Sequence, residues 1–82
     1  MHRNNKFFNH LLNLFPQFSK EEVGITLDEF FSKIVGENVG IHFIHDAEGF
    51  IEKFLNDGKI EQIIEGKCPI RFRRVKDALL YS

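Results

Sequence analysis

The stretch Phe50-Ile51-Glu52-Lys53-Phe54-Leu55-Asn56-Asp57-Gly58-Lys59-Ile60 decides the fold. Its apolar residues, with Ala47 before them, recur at helical spacing, so they line one face of a helix running from about Asp46 to Asp57. Asp46 stands at the N-cap and Gly58 at the stop. Gly49 inside the helix costs about 1 kcal/mol relative to Ala. Beyond Gly58 the period changes. Residues 59–64 read as one strand, 65–69 as a loop and 70–75 as a second strand, with Ile70 and Phe72 on one face and Arg71 and Arg73 on the other. Pro69 suits a strand start because it has no amide proton to leave unpaired. Residues 77–81 are expected to add a helical turn that packs Leu79 or Leu80 on the core.

Upstream, Thr26-Leu27-Asp28-Glu29 matches the capping box, in which the Thr hydroxyl and Glu carboxylate satisfy each other's free backbone amides. Leu27, Phe30, Phe31, Ile34 and Val35 follow at i, i+3, i+4, i+7 and i+8, and Gly36 ends the helix. Phe7, Phe8, Leu11, Leu12 and Phe15 predict a first helix over 5–14, capped by Asn4 or Asn5 and stopped by Pro16. Residues 16–25 read as a connector anchored by Phe18 and Val23. Residues 39–44 alternate as a short strand. The expected core is Leu11, Leu12, Leu27, Phe30, Phe31, Ile34, Phe50, Ile51, Phe54, Leu55, Ile60 and Phe72.

Three helices followed by a hairpin resemble the winged-helix family, a variant of the helix-turn-helix, and the 50–60 segment carries most of the likeness. The resemblance implies a small α+β domain over 1–82 with the hairpin as the wing. It also implies a third helix that enters a DNA groove and a wing that touches backbone. This chain departs from that pattern in two places. The segment from Gly36 to His45 is long for a tight turn, and the third helix exposes Glu48, Glu52 and Asp57 against only Lys53. Carboxylates facing phosphates oppose groove entry.

Charge is sorted along the 82 residues although the net charge is only −1. Residues 1–20 carry Arg3, Lys6 and Lys20 and no acid, whereas 21–65 carry eleven acids against three bases. Residues 66–82 carry Lys67, Arg71, Arg73, Arg74 and Lys76 against Asp77. Such asymmetry concerns partners, not fold. The expected function is a non-enzymatic nucleic-acid-binding module or regulator, with Lys67, Arg71, Arg73, Arg74, Lys76, Arg3 and Lys6 on phosphates. The alternative is a protein-interaction module, an adaptor or inhibitor, that presents Glu48, Glu52 and Asp57 to a basic partner. A third account of the arginines is structural: they protect a strand edge, or pair with acids of the same chain such as Glu61 across the hairpin. A homodimer docking opposite charges is compatible with this layout.

Other chemistries find little support. His42 and His45, with Asp46, suggest metal ligation, but strand positions 42 and 45 face opposite sides and no second Cys or His pair completes a set, so no metal or cofactor is expected. Cys68, the single cysteine, excludes an internal disulfide and suits a reducing compartment. It lacks a base and orienting group for nucleophilic catalysis, and no enzymatic role is expected. No apolar run is long enough to span a bilayer. Arg3 and Lys6 before Phe7-Phe8 could suggest a signal peptide or a surface-lying helix. Asn9, His10 and Asn13 break the apolar stretch, however, and a cytoplasmic protein with no membrane partner is the expectation.

Overall fold

The computed structural model describes residues 2–36 and 46–82, with side chains from Asn5 onward. Its elements run α1 (His2–Leu12), β1 (Ile25–Thr26), α2 (Leu27–Gly36), α3 (Ala47–Asn56), β2 (Ile60–Ile63) and β3 (Arg71–Arg74). The strands form an antiparallel sheet in the order β1-β3-β2, so this is a small α+β fold. The strand expected over 39–44, with His42 and His45, lies outside the described residues.

The capping box forms as read: the Thr26 amide donates to Glu29 Oε1 at 2.9 Å and the Glu29 amide to Thr26 Oγ1 at 3.1 Å. At the end of α3 the Gly58 amide donates to the Leu55 carbonyl at 3.1 Å and Lys59 to Phe54 at 2.9 Å. This crossed pair of bonds needs the left-handed conformation that Gly58 adopts at φ 70°. Asp46 occupies the N-cap of α3, but its side chain makes no capping hydrogen bond.

The core lies between the helices and one face of the sheet. Leu11, Leu12, Phe15, Phe30, Ile34, Ile51, Phe54, Ile60 and Phe72 are buried, with Ile25 and Ala47 joining them. Phe15 stacks on Phe30 at 4.5 Å and meets Phe54 edge-on at 6.1 Å. Leu27, Phe50 and Leu55 pack against this cluster from its margin.

Several expectations are corrected. α1 begins at His2, earlier than the expected Asn5, because no breaker separates the two. The presumed connector runs into β1, whose Ile25 and Thr26 stand opposite Phe72 and Arg71. Gly24 makes this approach possible: a Cβ there would meet the Phe72 carbonyl oxygen at 2.6 Å, and its φ is 79°. Phe31, Phe18 and Val23 remain exposed, because the turn of the 16–25 segment directs the last two outward and Phe31 flanks the buried stripe of α2.

The C-terminal helical turn is also absent. Asp77 takes φ 60°, which breaks helical geometry, and Leu79 and Leu80 stay exposed. Tyr81 docks in their place. Asn9 donates to its carbonyl at 2.8 Å and accepts from its amide at 2.7 Å, while its ring packs near Phe8 and Phe54. The amide of Asn5, expected as a helix cap, instead donates to the Ser82 backbone oxygen.

Candidate nucleic-acid interface

Strand register determines what each basic side chain of β3 meets. Pairing puts Arg73 opposite Glu61, and Arg71 opposite Ile63 on one side and Thr26 on the other. Cross-strand partners share a face, so Arg71 and Arg73 project from the outer face of the sheet while Phe72 enters the core. The Arg73 Nε donates to Glu61 Oε2 at 2.7 Å, and its Nη1 reaches the carbonyls of Ser19 at 2.8 Å and Glu22 at 2.9 Å. Its guanidinium also lies over the Phe18 ring at 4.6 Å. With only 19% of its side chain exposed, Arg73 is a clamp joining β2, β3 and the 19–22 turn.

Arg71 is tied down less tightly. Its Nη1 donates to Glu29 Oε1 at 3.2 Å and to the Gly24 carbonyl at 3.3 Å. The Thr26 backbone amide, the Thr26 hydroxyl and the Arg71 charge together hold the Glu29 carboxyl below the usual glutamate range. One carboxylate thus caps α2 and anchors a β3 arginine.

Arg74 differs. Its Nη1 donates to the neutral Asn13 Oδ1 at 3.1 Å and its backbone amide to the Pro16 carbonyl at 2.8 Å, and among the described residues no carboxylate forms an ion pair with it. Lys76, Lys67 and Lys6 are exposed, and among the described residues none forms an ion pair. Lys67 sits in the hairpin loop. Lys6 precedes Asn13 by two helical turns on the same side, about 10 Å along the axis. Arg74 and Lys76 therefore lie at the junction between the end of α1 and the end of β3, with Lys6 two turns back along α1. The side chain of Arg3 lies outside the described residues.

Beside this junction a cleft of about 450 Å³ opens between residues 17–18 and 74–78. Gln17, Phe18, Arg74, Lys76 and Asp77 are among the residues that line it. Sequence reasoning assigned Gln17 no role and sent Phe18 to the core; no local signal distinguishes an apolar anchor from a ring left at a cleft.

The acidic side chains also separate. Glu48 and Glu52, four apart on α3, are exposed and form no ion pair among the described residues. Asp57 is occupied by Lys53 at 3.1 Å and by the Tyr81 hydroxyl at 2.6 Å. The Tyr81 and Lys53 hydrogen bonds draw its pKa below the usual aspartate value. Lys53, the single base on α3, is held by this carboxylate and by the rings of Phe8 and Tyr81, at 4.9 and 5.4 Å.

Among the described residues no group of His, Cys, Asp and Glu is arranged to hold a metal, and Cys68 is exposed in its loop. No described helix is long and apolar enough to cross a membrane. Comparison with protein-family models, curated proteins and solved structures finds no match to the chain.

Proposed function

We propose that the chain is a winged-helix-type, non-enzymatic module that binds nucleic acid, with Arg74, Lys76, Lys67 and Lys6 on phosphates. Three helices followed by an antiparallel hairpin support the fold assignment. One observation carries the function: Arg74 and Lys76 face a cleft with no carboxylate among the described residues bonded to either, whereas Arg71 and Arg73 are held by Glu29 and Glu61. The phosphate contacts of this reading thus leave the sheet face for the two ends of the hairpin, Arg74 and Lys76 at the end of β3 and Lys67 in the loop at the other. Groove insertion of α3 is no part of this reading, because its free charges are Glu48 and Glu52.

Anisotropy titration of a random duplex across salt concentration tests the reading. Each phosphate contact contributes a slope of about −0.9 in log affinity against log salt. The double variant Lys67→Gln, Lys76→Gln should flatten the slope by about two such contacts for every sequence alike. An unchanged slope would remove the reading.

A second reading rests on a different observation, the exposed Glu48 and Glu52 on one side of α3. They suit a basic protein partner. Reversal of both to Lys should abolish capture of a Lys/Arg-rich peptide and strengthen nucleic-acid binding; the opposite pair of results would discard it.

A further inference from the structure

We infer that the cleft at the end of β3 takes one nucleotide of a single-stranded nucleic acid, its base against Phe18 and its phosphate at Arg74 and Lys76. The inference rests on the nucleic-acid reading above and narrows it from phosphate attraction to a seat for an unpaired base.

Phe18 carries the argument. The residue is 36% exposed and belongs neither to the buried core nor to the apolar residues packed against it. The Arg73 guanidinium, 4.6 Å from the ring centroid, backs it. Glu61 and two backbone carbonyls hold that guanidinium, so the ring rests on a fixed cationic support. An exposed ring on a rigid support is a stacking platform, and stacking needs a base freed from its pair.

The rest of the cleft supplies the complementary groups. Arg74 and Lys76 bring two charges that no carboxylate among the described residues bonds. The Asp77 carboxylate can accept from a base N–H, the thymine N3–H included, while the Gln17 amide offers a donor and an acceptor to a base edge. The volume of about 450 Å³ falls within the usual range of small-ligand sites. Lys6, exposed two turns back along α1 from Asn13, is a further cation for a phosphate of a longer strand. Aromatic stacking with flanking cations is the combination by which strands are held without sequence preference.

The test uses the full chain, a labelled oligothymidylate of about ten nucleotides, a random duplex of equal length and thymidine monophosphate, all at low salt. The oligomer should bind more tightly than either the duplex or the mononucleotide. Phe18→Leu keeps apolar volume but removes the stacking face, and should weaken the oligomer about tenfold. Lys76→Gln alters only an exposed side chain, and should flatten the oligomer salt slope by about 0.7. Thermal melts check that both variants fold. Equal duplex and oligomer affinities, both untouched by Phe18→Leu, would overturn the base seat and leave the phosphate reading standing. Mononucleotide binding as tight as the oligomer would overturn the strand as occupant. Binding of none of the three would overturn both readings.

Discussion

Arg73 and Arg74 are neighbours on one strand, yet they have opposite fates. Arg73 projects from the outer sheet face, where Glu61 stands directly across the pair and two carbonyls of the 19–22 turn complete its shell. Arg74, on the alternate face, finds the amide oxygen of Asn13. One charge is consumed in holding the fold; the other forms no ion pair among the described residues and is the one the proposed reading assigns to a phosphate. Strand alternation makes the distinction, so a count of basic residues in 66–82 overstates what a ligand can meet. Surface potential follows from register, not composition.

Removing the structure that aligns the two faces should have the largest effect. Gly24→Ala puts a Cβ 2.6 Å from a backbone oxygen of β3 at a residue whose φ is 79°. We expect a loss of about 3 kcal/mol from left-handed strain and overpacking. Denaturant unfolding reads it, together with loss of the β1–β3 pairing that brings Gly24 to Arg71. Arg73→Ala comes next. It deletes a charged pair and the Arg73 bonds to two carbonyls, leaving Ser19 with the Glu22 amide as its donor and Glu22 with none from Arg73, for about 2 kcal/mol. Its effect on nucleic-acid salt slope should be nil. Lys76→Gln should do the reverse, moving stability by no more than about 0.5 kcal/mol while flattening the slope. If Arg73→Ala flattened the slope and Lys76→Gln did not, the proposed division of the strand would be broken.

Local chemistry made part of this legible in advance. The Thr26–Glu29 box fixes the start of α2, and Gly58 fixes the end of α3, because each signal involves residues within a few positions. The Glu61–Arg73 pair followed from simple cross-strand reasoning. What stayed hidden depends on distant groups. β1 has only two residues, too few for a period, and exists because Gly24 lets β3 approach. Phe18 and Phe15 look alike in sequence, but Phe15 reaches Phe30 and Phe54 while Phe18 meets Arg73. At the candidate site, which arginine remains available depended on the path of residues 16–24, a segment without periodicity. The docking of Tyr81 in place of Leu79 or Leu80 turns on Asn9, 72 residues away.

That C-terminal latch is a second place where charge is consumed, and it gives the smallest and most specific prediction. Tyr81 donates its hydroxyl to Asp57, whose carboxyl is thereby held below its ordinary value of 3.8. A lowered carboxyl contributes stability that is complete above pH 3.8 and lost as pH falls through the folded value. The phenol shifts the other way: burial first, and then the bond to Asp57, raise it above its ordinary 10.0. Its contribution is complete below pH 10.0 and lost as pH rises beyond that toward the folded value. Tyr81→Phe keeps the ring against Phe8 and Phe54 and removes only the hydroxyl. We expect a loss of about 1 kcal/mol near neutrality that shrinks at both extremes, because the parent chain loses there what the variant already lacks. Melting temperature recorded from pH 2 to 11 should therefore show the two curves converging at both ends. A constant gap across that range would mean that Tyr81 holds the tail by packing and by Asn9 alone, leaving Asp57 to its ion pair with Lys53.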